Sequence, residues 1–263
     1  MQRIDHLLRE HKLSHKKSAI MTSLRNSIGI EKKAIKEEEI PIGTSKLGGL
    51  PDMPDGMEFP SYENGYLWFI GQFNLKEAKP YDKDNLLPEK GILYLFYDAH
   101  EQPWGFEEDE GCYKVLYFDG DVCELKRRAF PGESEGDYSL DAYKIAFRNI
   151  YTISEHPENL PFEDENEEDR FWNFRQELMQ PEDENGSIVP AHYMLGEPFN
   201  VQNDVFEELY DSSKHPVLLF QIDSDEQDLG VMWGDSGLLY FCIEKEELLA
   251  KQFDKVTFTL QCF

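Results

Sequence analysis

Four aspartates lie close together late in the chain, and carboxylates at such short spacing suit a hard cation. They are Asp223, Asp225, Asp228 and Asp235. The spacing is not that of an EF-hand loop, because no Asp-x-Asp-x-Asp-Gly run followed by a glutamate is present. A charged hairpin loop without a cofactor is the favoured interpretation. The alternative interpretation is that Asp223, Asp225 and Asp235 bind Ca²⁺ or Mg²⁺.

No recognised catalytic set accompanies these carboxylates. Ser236 lies in a Gly-Asp-Ser-Gly turn, which is not the Gly-x-Ser-x-Gly elbow of a nucleophilic serine. The chain also lacks a P-loop, a Gly-x-Gly-x-x-Gly run and a His-Glu-x-x-His pattern. We therefore predict no catalytic residue. The alternative is a metal-assisted hydrolase that uses Asp223, Asp225 and Asp235, with His192 as the base.

Asp235 follows Trp233 in a glycine-bracketed turn, so this short segment is a candidate ligand-binding element. An aspartate there can accept hydrogen bonds from its own backbone or present its carboxylate at a pocket. We expect Asp235 to act through the turn, with Trp233 covering it. On that interpretation an Asp235→Ala substitution costs about 1 to 2 kcal/mol of stability.

A glutamine interrupts the most apolar run of each half of the chain. Gln72 lies in Phe-Ile-Gly-Gln-Phe, and Gln221 lies in Leu-Leu-Phe-Gln-Ile. A buried amide without a partner costs about 1 to 3 kcal/mol, so each side chain must be hydrogen-bonded. Two interpretations are open. Each amide hydrogen-bonds to the loop of its own half, which is the ordinary role of a buried amide, or both amides face a cleft between the halves and hold a ligand.

The charge of the chain limits its partners. The formal net charge is -27, which repels nucleic acid and attracts basic proteins. Residues 1–36 differ from the rest, because nine Lys or Arg against three Asp or Glu give them a net charge of +6. The other residues therefore carry -33. We expect this basic arm to dock on the acidic body through its apolar side chains.

The elements that must position these residues are mostly strands. Aromatic and β-branched runs predict strands at 66–73, 91–98, 113–118, 122–128, 143–153, 216–223, 237–243 and 255–262. Apolar residues at helical spacing predict one or two helices within residues 2–30, and others at 170–179, 204–210 and 244–251. Strands with few helices between them favour an α+β fold with mostly antiparallel sheets.

Three blocks recur in the same order in the two halves. The sequences LGGLP, LWFIGQFN and GILYLFYD of the first half match LGEP, VLLFQID and GLLYFCIE of the second. Their offsets are nearly constant, at 148, 149 and 146 residues, and a weaker fourth block begins at Lys114 and Lys255. This predicts an internal duplication with a basic helical arm at 1–40, lobes at 41–153 and 187–263, and an acidic linker and helix at 154–186.

These blocks resemble the YwqG-like family of bacterial proteins. The similarity includes LGGLPDMP from Leu47, FIGQFNL from Phe69, GILYLF from Gly91, LLFQID from Leu218 and WGDSGLLYF from Trp233, and it covers roughly residues 45 to 260. One departure is Phe59, where a tryptophan is expected before the proline. The resemblance implies a mixed, strand-rich fold with no established catalytic residues, and it links some members to toxin systems.

The remaining features favour a cytoplasmic binding module. The four cysteines have no CxxC spacing, which indicates free thiols in a reducing compartment. The N-terminus lacks the apolar stretch of a signal peptide, and no run is long enough to span a membrane. We predict a non-catalytic module that binds a basic protein or a small ligand between its lobes. One such function is that of an immunity protein, which binds a toxin. The sequence does not indicate an oligomeric state.

Overall fold

The computed structural model describes residues 1–63, 65–131 and 140–263. Its helices are α1 (Gln2–Glu10), α2 (Lys17–Ser23), α3 (Leu75–Ala78), α4 (Glu165–Met179), α5 (Val205–Leu209) and α6 (Lys245–Leu249). Its strands are β1 (Arg25–Ala34), β2 (Lys46–Leu47), β3 (Asp52–Pro54), β4 (Ser61–Tyr62), β5 (Gly65–Tyr66), β6 (Trp68–Asn74), β7 (Ile92–Tyr97), β8 (Tyr113–Phe118), β9 (Leu125–Arg127), β10 (Tyr143–Thr152), β11 (Tyr193–Met194), β12 (Pro216–Asp223), β13 (Leu238–Glu244) and β14 (Thr257–Gln261).

Ten of the strands form one antiparallel sheet, which confirms the predicted α+β class. The sheet is centred on β1 and β10, which pair along their whole lengths. Strands β2, β6, β7 and β8 follow on the β10 side, and β11, β12, β13 and β14 follow on the β1 side. The same succession of a two-residue strand and three longer strands therefore lies on both sides of the central pair.

The pairing registers of the two sides also correspond. Gln72 lies opposite Tyr94 in β7, and Gln221 lies opposite Tyr240 in β13. The register of β6 shifts between Phe69 and Gly71, and that of β12 shifts between Leu218 and Phe220, one residue before each glutamine. The two sides of the sheet thus correspond in strand order and in register, and the internal duplication stays a prediction.

The weak fourth block is aligned differently in the structure. Lys114 pairs with Phe96, whereas Cys242, the counterpart of Phe96, pairs with Thr257. Thr257 and not Lys255 is therefore the counterpart of Lys114. Lys255 lies in the 3₁₀ turn before the strand, so the sequence match at this block was wrong by two residues.

The basic arm is helical only in its first part. Ile4, Leu7 and Leu8 of α1 are buried, but the helical pattern predicted up to residue 30 is wrong beyond Ser23. Residues Arg25–Ala34 form a strand because β-branched residues such as Ile28 fit between two neighbouring strands, here β10 on one side and β11 on the other. The arm thus supplies a central strand of the sheet.

The curved sheet brings side chains from its two sides into one core. The ring centroids of Phe73 and Phe220 are 4.4 Å apart, and those of Tyr113 and Phe258 are 5.0 Å apart. A second apolar cluster lies under α1, α2 and α4 on the other face of the sheet. None of the helices in the described parts of the chain is long and apolar enough to cross a membrane.

Candidate functional site

Gln72 is fully buried and holds the loop of its own half. Its Oε1 accepts a hydrogen bond from the Asp52 N–H at 2.7 Å. Its Nε2 donates to the Thr44 carbonyl at 2.9 Å and to Asp52 Oδ2 at 2.8 Å. The Tyr94 hydroxyl donates to the Asp52 carbonyl at 2.6 Å. Both amide hydrogens of Gln72 are therefore used within the first half.

Gln221 holds the corresponding loop in the second half. Its Oε1 accepts from the Phe199 N–H at 2.9 Å and the Tyr193 hydroxyl at 2.8 Å, and its Nε2 donates to the Ala191 carbonyl at 3.1 Å. The Tyr240 hydroxyl donates to the Phe199 carbonyl at 2.5 Å. These contacts repeat those around Gln72, so the two glutamines lie at corresponding positions and each binds its own loop.

The first loop contains a network of buried charges next to Gln72. Lys46 is 0% exposed and donates to Glu37 at 2.9 Å, while Arg127 pairs with Asp52 at 3.0 Å. Burial lowers the pKa of Lys46, and the nearby carboxylates of Asp52 and Glu37 oppose that effect. This network was not predicted from the sequence, because its members form no motif and Arg127 is distant from the other three in the chain.

His192 and Asp225 connect the second loop to β1. The Nδ1 of His192 accepts from the Asp223 N–H at 3.1 Å, so its ring proton lies on Nε2, which is 3.2 Å from Asp225 Oδ2. Lys32 of β1 pairs with Asp225 and, at 2.6 Å, with Asp228. Burial raises the pKa of Asp225, but hydrogen bonds from His192 and Lys32 outweigh it and the net shift is downward. The charge of Asp225 is therefore balanced within the protein.

The other predicted residues lie around the following turn. Trp233 is fully buried and donates from Nε1 to the Asp223 carbonyl at 3.1 Å. The Asp235 side chain is exposed and, among the described residues, makes no hydrogen bond. The turn is instead closed by the Gly237 N–H, which donates to the Trp233 carbonyl at 2.7 Å. The expectation that the Asp235 carboxylate holds the turn was wrong, because the backbone does so.

The predicted metal ligands do not meet at one point. In the described ranges, a trio of His, Cys, Asp or Glu ligand atoms within 4.8 Å of one another occurs only at His15, Glu163 and Glu167. Within that trio Glu167 already binds His15 at 2.6 Å and Lys16 at 3.2 Å. The set of Asp223, Asp225 and Asp235 lacks this geometry.

An acidic groove of about 700 Å³ lies between the two halves and was not predicted from the sequence. Its buried floor comes from both halves, with Leu67, Val115, Phe253 and Val256. Its carboxylates are those of Glu58, Glu107, Asp109, Glu110 and Asp254, and the one basic residue among the described residues that line it is Lys114. The groove therefore combines an apolar floor with an excess of negative charge.

The groove runs along an edge of the ten-stranded sheet. Strand β8 is the last strand on its side, and four successive residues, 113–116, line the groove. Successive side chains of a strand point to opposite faces, so a groove that contacts all four follows the strand edge. In the described parts of the chain, no backbone group of β8 hydrogen-bonds beyond β7. Among the described residues the edge therefore has no backbone partner, although the 3₁₀ turn Phe253–Lys255 contacts the strand.

Two exposed aromatic rings lie at one end of the groove. Phe106, which is 56% exposed, lines the groove and stacks parallel to Trp104 with a centroid distance of 6.5 Å. Aromatic side chains at an exposed site often contribute strongly to protein recognition. Fold and groove together define an α+β protein with two corresponding halves and an open sheet edge between them.

The comparison with protein families agrees with this architecture. Residues 45–262 match DUF1963, a domain of unknown function, and the chain belongs to that family. Membership of an uncharacterised domain family is thus confirmed, while the narrower YwqG-like resemblance stays a prediction. A comparison with curated proteins finds no match. The matched region includes both anchored loops and the groove but begins after β1.

Proposed function

We propose that this protein is a cytoplasmic, non-catalytic binding module that holds an extended basic segment of another protein in the acidic groove. The observation that carries the proposal is the combination of five carboxylates, one lysine and an apolar floor along the free edge of β8. Such an edge offers unpaired backbone groups that an incoming strand can use.

The groove suits a strand with alternating side chains. Apolar residues on one face of the bound strand would contact the floor near Val115, and basic residues on the other face would lie near the carboxylates of Glu107 and Glu110. Backbone hydrogen bonds to β8 supply affinity, and the alternation of side chains supplies selectivity. The net charge of -27 attracts a basic partner from a distance.

The proposal accommodates the implied link to toxins. An immunity protein for a basic toxin would bind a cationic surface segment, and this groove has the chemistry for one. The family resemblance alone suggests that role, whereas the groove supports only the class of partner. A basic, apolar-alternating protein segment is therefore the partner that we propose.

A binding titration tests the proposal. Fluorescence anisotropy would follow a labelled peptide of alternating Leu and Lys, with a peptide of alternating Leu and Glu as the charge control. Replacing both Glu107 and Glu110 by Lys should weaken binding of the basic peptide by about 30-fold or more, because it removes the excess of negative charge from the groove. These two side chains are exposed and make no hydrogen bond in the described structure, so the fold should be unaffected.

A matched variant separates the groove from the net charge. Replacing Glu207 of α5 and Glu246 of α6 by Lys changes the net charge equally, and neither residue lines the groove. We expect this variant to bind the basic peptide within about threefold of the unmodified protein. Equal weakening by both double variants would show that only the overall charge attracts the peptide, and the proposed site would then be wrong.

A further inference from the structure

A second cavity, of about 620 Å³, lies between α4 and the segment that follows β12. This volume is in the range of small-molecule sites. Its lining includes the aromatic residues Trp172 and Phe199 and the acidic residues Asp223 and Glu226. The cavity is distinct from the acidic groove, since the two have no lining residue in common.

The two cations that line this cavity are already neutralised. Lys32 pairs with Asp225 and Asp228. Arg175 lies 3.1 Å from Glu155, donates to two backbone carbonyls and stacks 4.8 Å from the Phe199 ring centroid. Neither cation is therefore free to bind an anionic ligand.

Asp223 lacks such a counter-charge. Its Oδ2 accepts from the Ala191 N–H at 2.8 Å, but it forms no ion pair with any described residue. Burial raises the pKa of this carboxyl, and the Ala191 hydrogen bond and nearby His192 offset only part of that effect. A buried carboxylate of this kind is stabilised by a cation that enters the cavity.

Gln180 also lines the cavity. Its side-chain amide makes no hydrogen bond with a described residue, and its polar atoms remain accessible to solvent. The amide is therefore available to a ligand. The amide of Gln180 can accept a hydrogen bond from a cationic nitrogen, and the ring of Trp172, which also lines the cavity, can contact a cationic group.

We propose that this cavity binds a small organic cation, with an ammonium or guanidinium group at Asp223 and a hydrogen bond to Gln180. The aromatic wall contacts the aliphatic part of the ligand. The site needs no second protein, so its occupation is separate from the binding of a basic segment in the groove.

Calorimetric titration with putrescine and agmatine tests this site, with 1,4-butanediol as a neutral probe of similar length. We expect saturable binding of at least one of the two amines and none of the diol. Replacing Asp223 by Asn keeps an acceptor for the Ala191 N–H but removes the charge, so affinity should fall about tenfold or more. Replacing Gln180 by Leu should weaken binding about fivefold.

Two further variants distinguish this site from other acidic surfaces. Asp235→Asn removes an exposed carboxylate that does not line the cavity, and the Glu107→Lys, Glu110→Lys variant alters only the groove. Both should bind the amines like the unmodified protein. The proposal is wrong if neither amine binds, or if folded Asp223→Asn and Gln180→Leu variants both bind with unchanged affinity.

Discussion

The two edge strands of the sheet occupy corresponding positions but have different surroundings. Strand β14 is covered, because the Leu260 N–H donates to the Trp104 carbonyl at 3.1 Å and α5 packs against it. Strand β8 has no backbone partner of that kind among the described residues. In the second half the strand edge is therefore hydrogen-bonded by a neighbouring segment, whereas in the first half the described residues leave the backbone of the edge unpaired, with the 3₁₀ turn Phe253–Lys255 in contact with the strand.

Side chains explain the difference. By register, Leu116 and Phe118 of β8 correspond to Thr259 and Gln261 of β14. Gln261 accepts hydrogen bonds from the Val201 and Gln202 N–H groups at 3.0 and 3.1 Å, and thereby attaches a loop to the edge. Apolar side chains cannot anchor a loop in this way. The comparison teaches that two polar residues, Thr259 and Gln261, distinguish the covered edge from the unpaired one.

The largest effect on stability is expected at Gln261. Replacing it by Leu leaves two backbone N–H groups of the attached loop without their acceptor, and we expect a loss of about 2 to 4 kcal/mol in urea unfolding. Replacing its counterpart Phe118 by Leu should cost less than about 1.5 kcal/mol. Equal losses at the two positions would break the comparison between the edges.

A smaller effect is expected on binding at the open edge. Replacing Phe106 by Ala should weaken the basic peptide about tenfold in anisotropy titrations, because the ring forms one end of the groove. Leu249 of α6 is a matched control, since it is also 56% exposed but lies outside the groove. If the Leu249→Ala variant loses as much affinity for the peptide as the Phe106→Ala variant, then Phe106 makes no specific contribution to binding in the groove.

The carboxyl group of Glu167 in α4 predicts how the stability of the protein depends on pH under acid conditions. Although burial raises its pKa, hydrogen bonds from the Glu163 N–H, His15 and Lys16 lower it to about 2. The ionised carboxylate therefore contributes stability above its ordinary pKa of 4.5, and this contribution is lost as the pH falls toward 2. We expect urea unfolding of a Glu167→Gln variant to depend less on pH between about 5 and 2. An unchanged pH dependence would exclude this role.

The smallest effect is expected at the turn next to β14. The Asp235 carbonyl accepts from the Phe263 N–H at 3.1 Å, a contact that any side chain preserves. Asp235→Ala and Asp235→Asn should both change stability by less than about 0.5 kcal/mol. A melting temperature that rises with Ca²⁺ or Mg²⁺ in the unmodified protein, and not in the Asn variant, would favour the metal site instead.

Sequence patterns predicted the strands well where the runs are apolar. Strand β12 was placed at its observed bounds, since its residues are buried on both faces. Residues 25–30 of β1 were assigned to a helix, because Leu24 and Ile28 continue the helical spacing of the apolar residues before them, and the neighbours of β1 in the sheet are distant in sequence. The need for a partner at Gln72 and Gln221 also followed from the sequence, through the general cost of a buried amide.

The groove could not be predicted in this way. Its lining comes from three separate parts of the chain, which only the curvature of the sheet brings together: residues 58–61 and 67, residues 105–107, 109–111 and 113–116, and residues 253, 254 and 256. In the sequence, Glu107 and Glu110 cannot be distinguished from ordinary exposed charges. The sequence of β8 also does not indicate which strands lie beside it. Only the observed strand order shows that β8 is an edge.

Hydrogen exchange of the backbone amides tests the central claim most directly. On saturation with the basic peptide, amides of β8 should exchange more slowly, since an added strand hydrogen-bonds to the open edge. Amides of β14 should be unchanged, because that edge is already covered. Protection that appears at β14 or over the whole sheet equally, with none specific to β8, would contradict the proposed binding site.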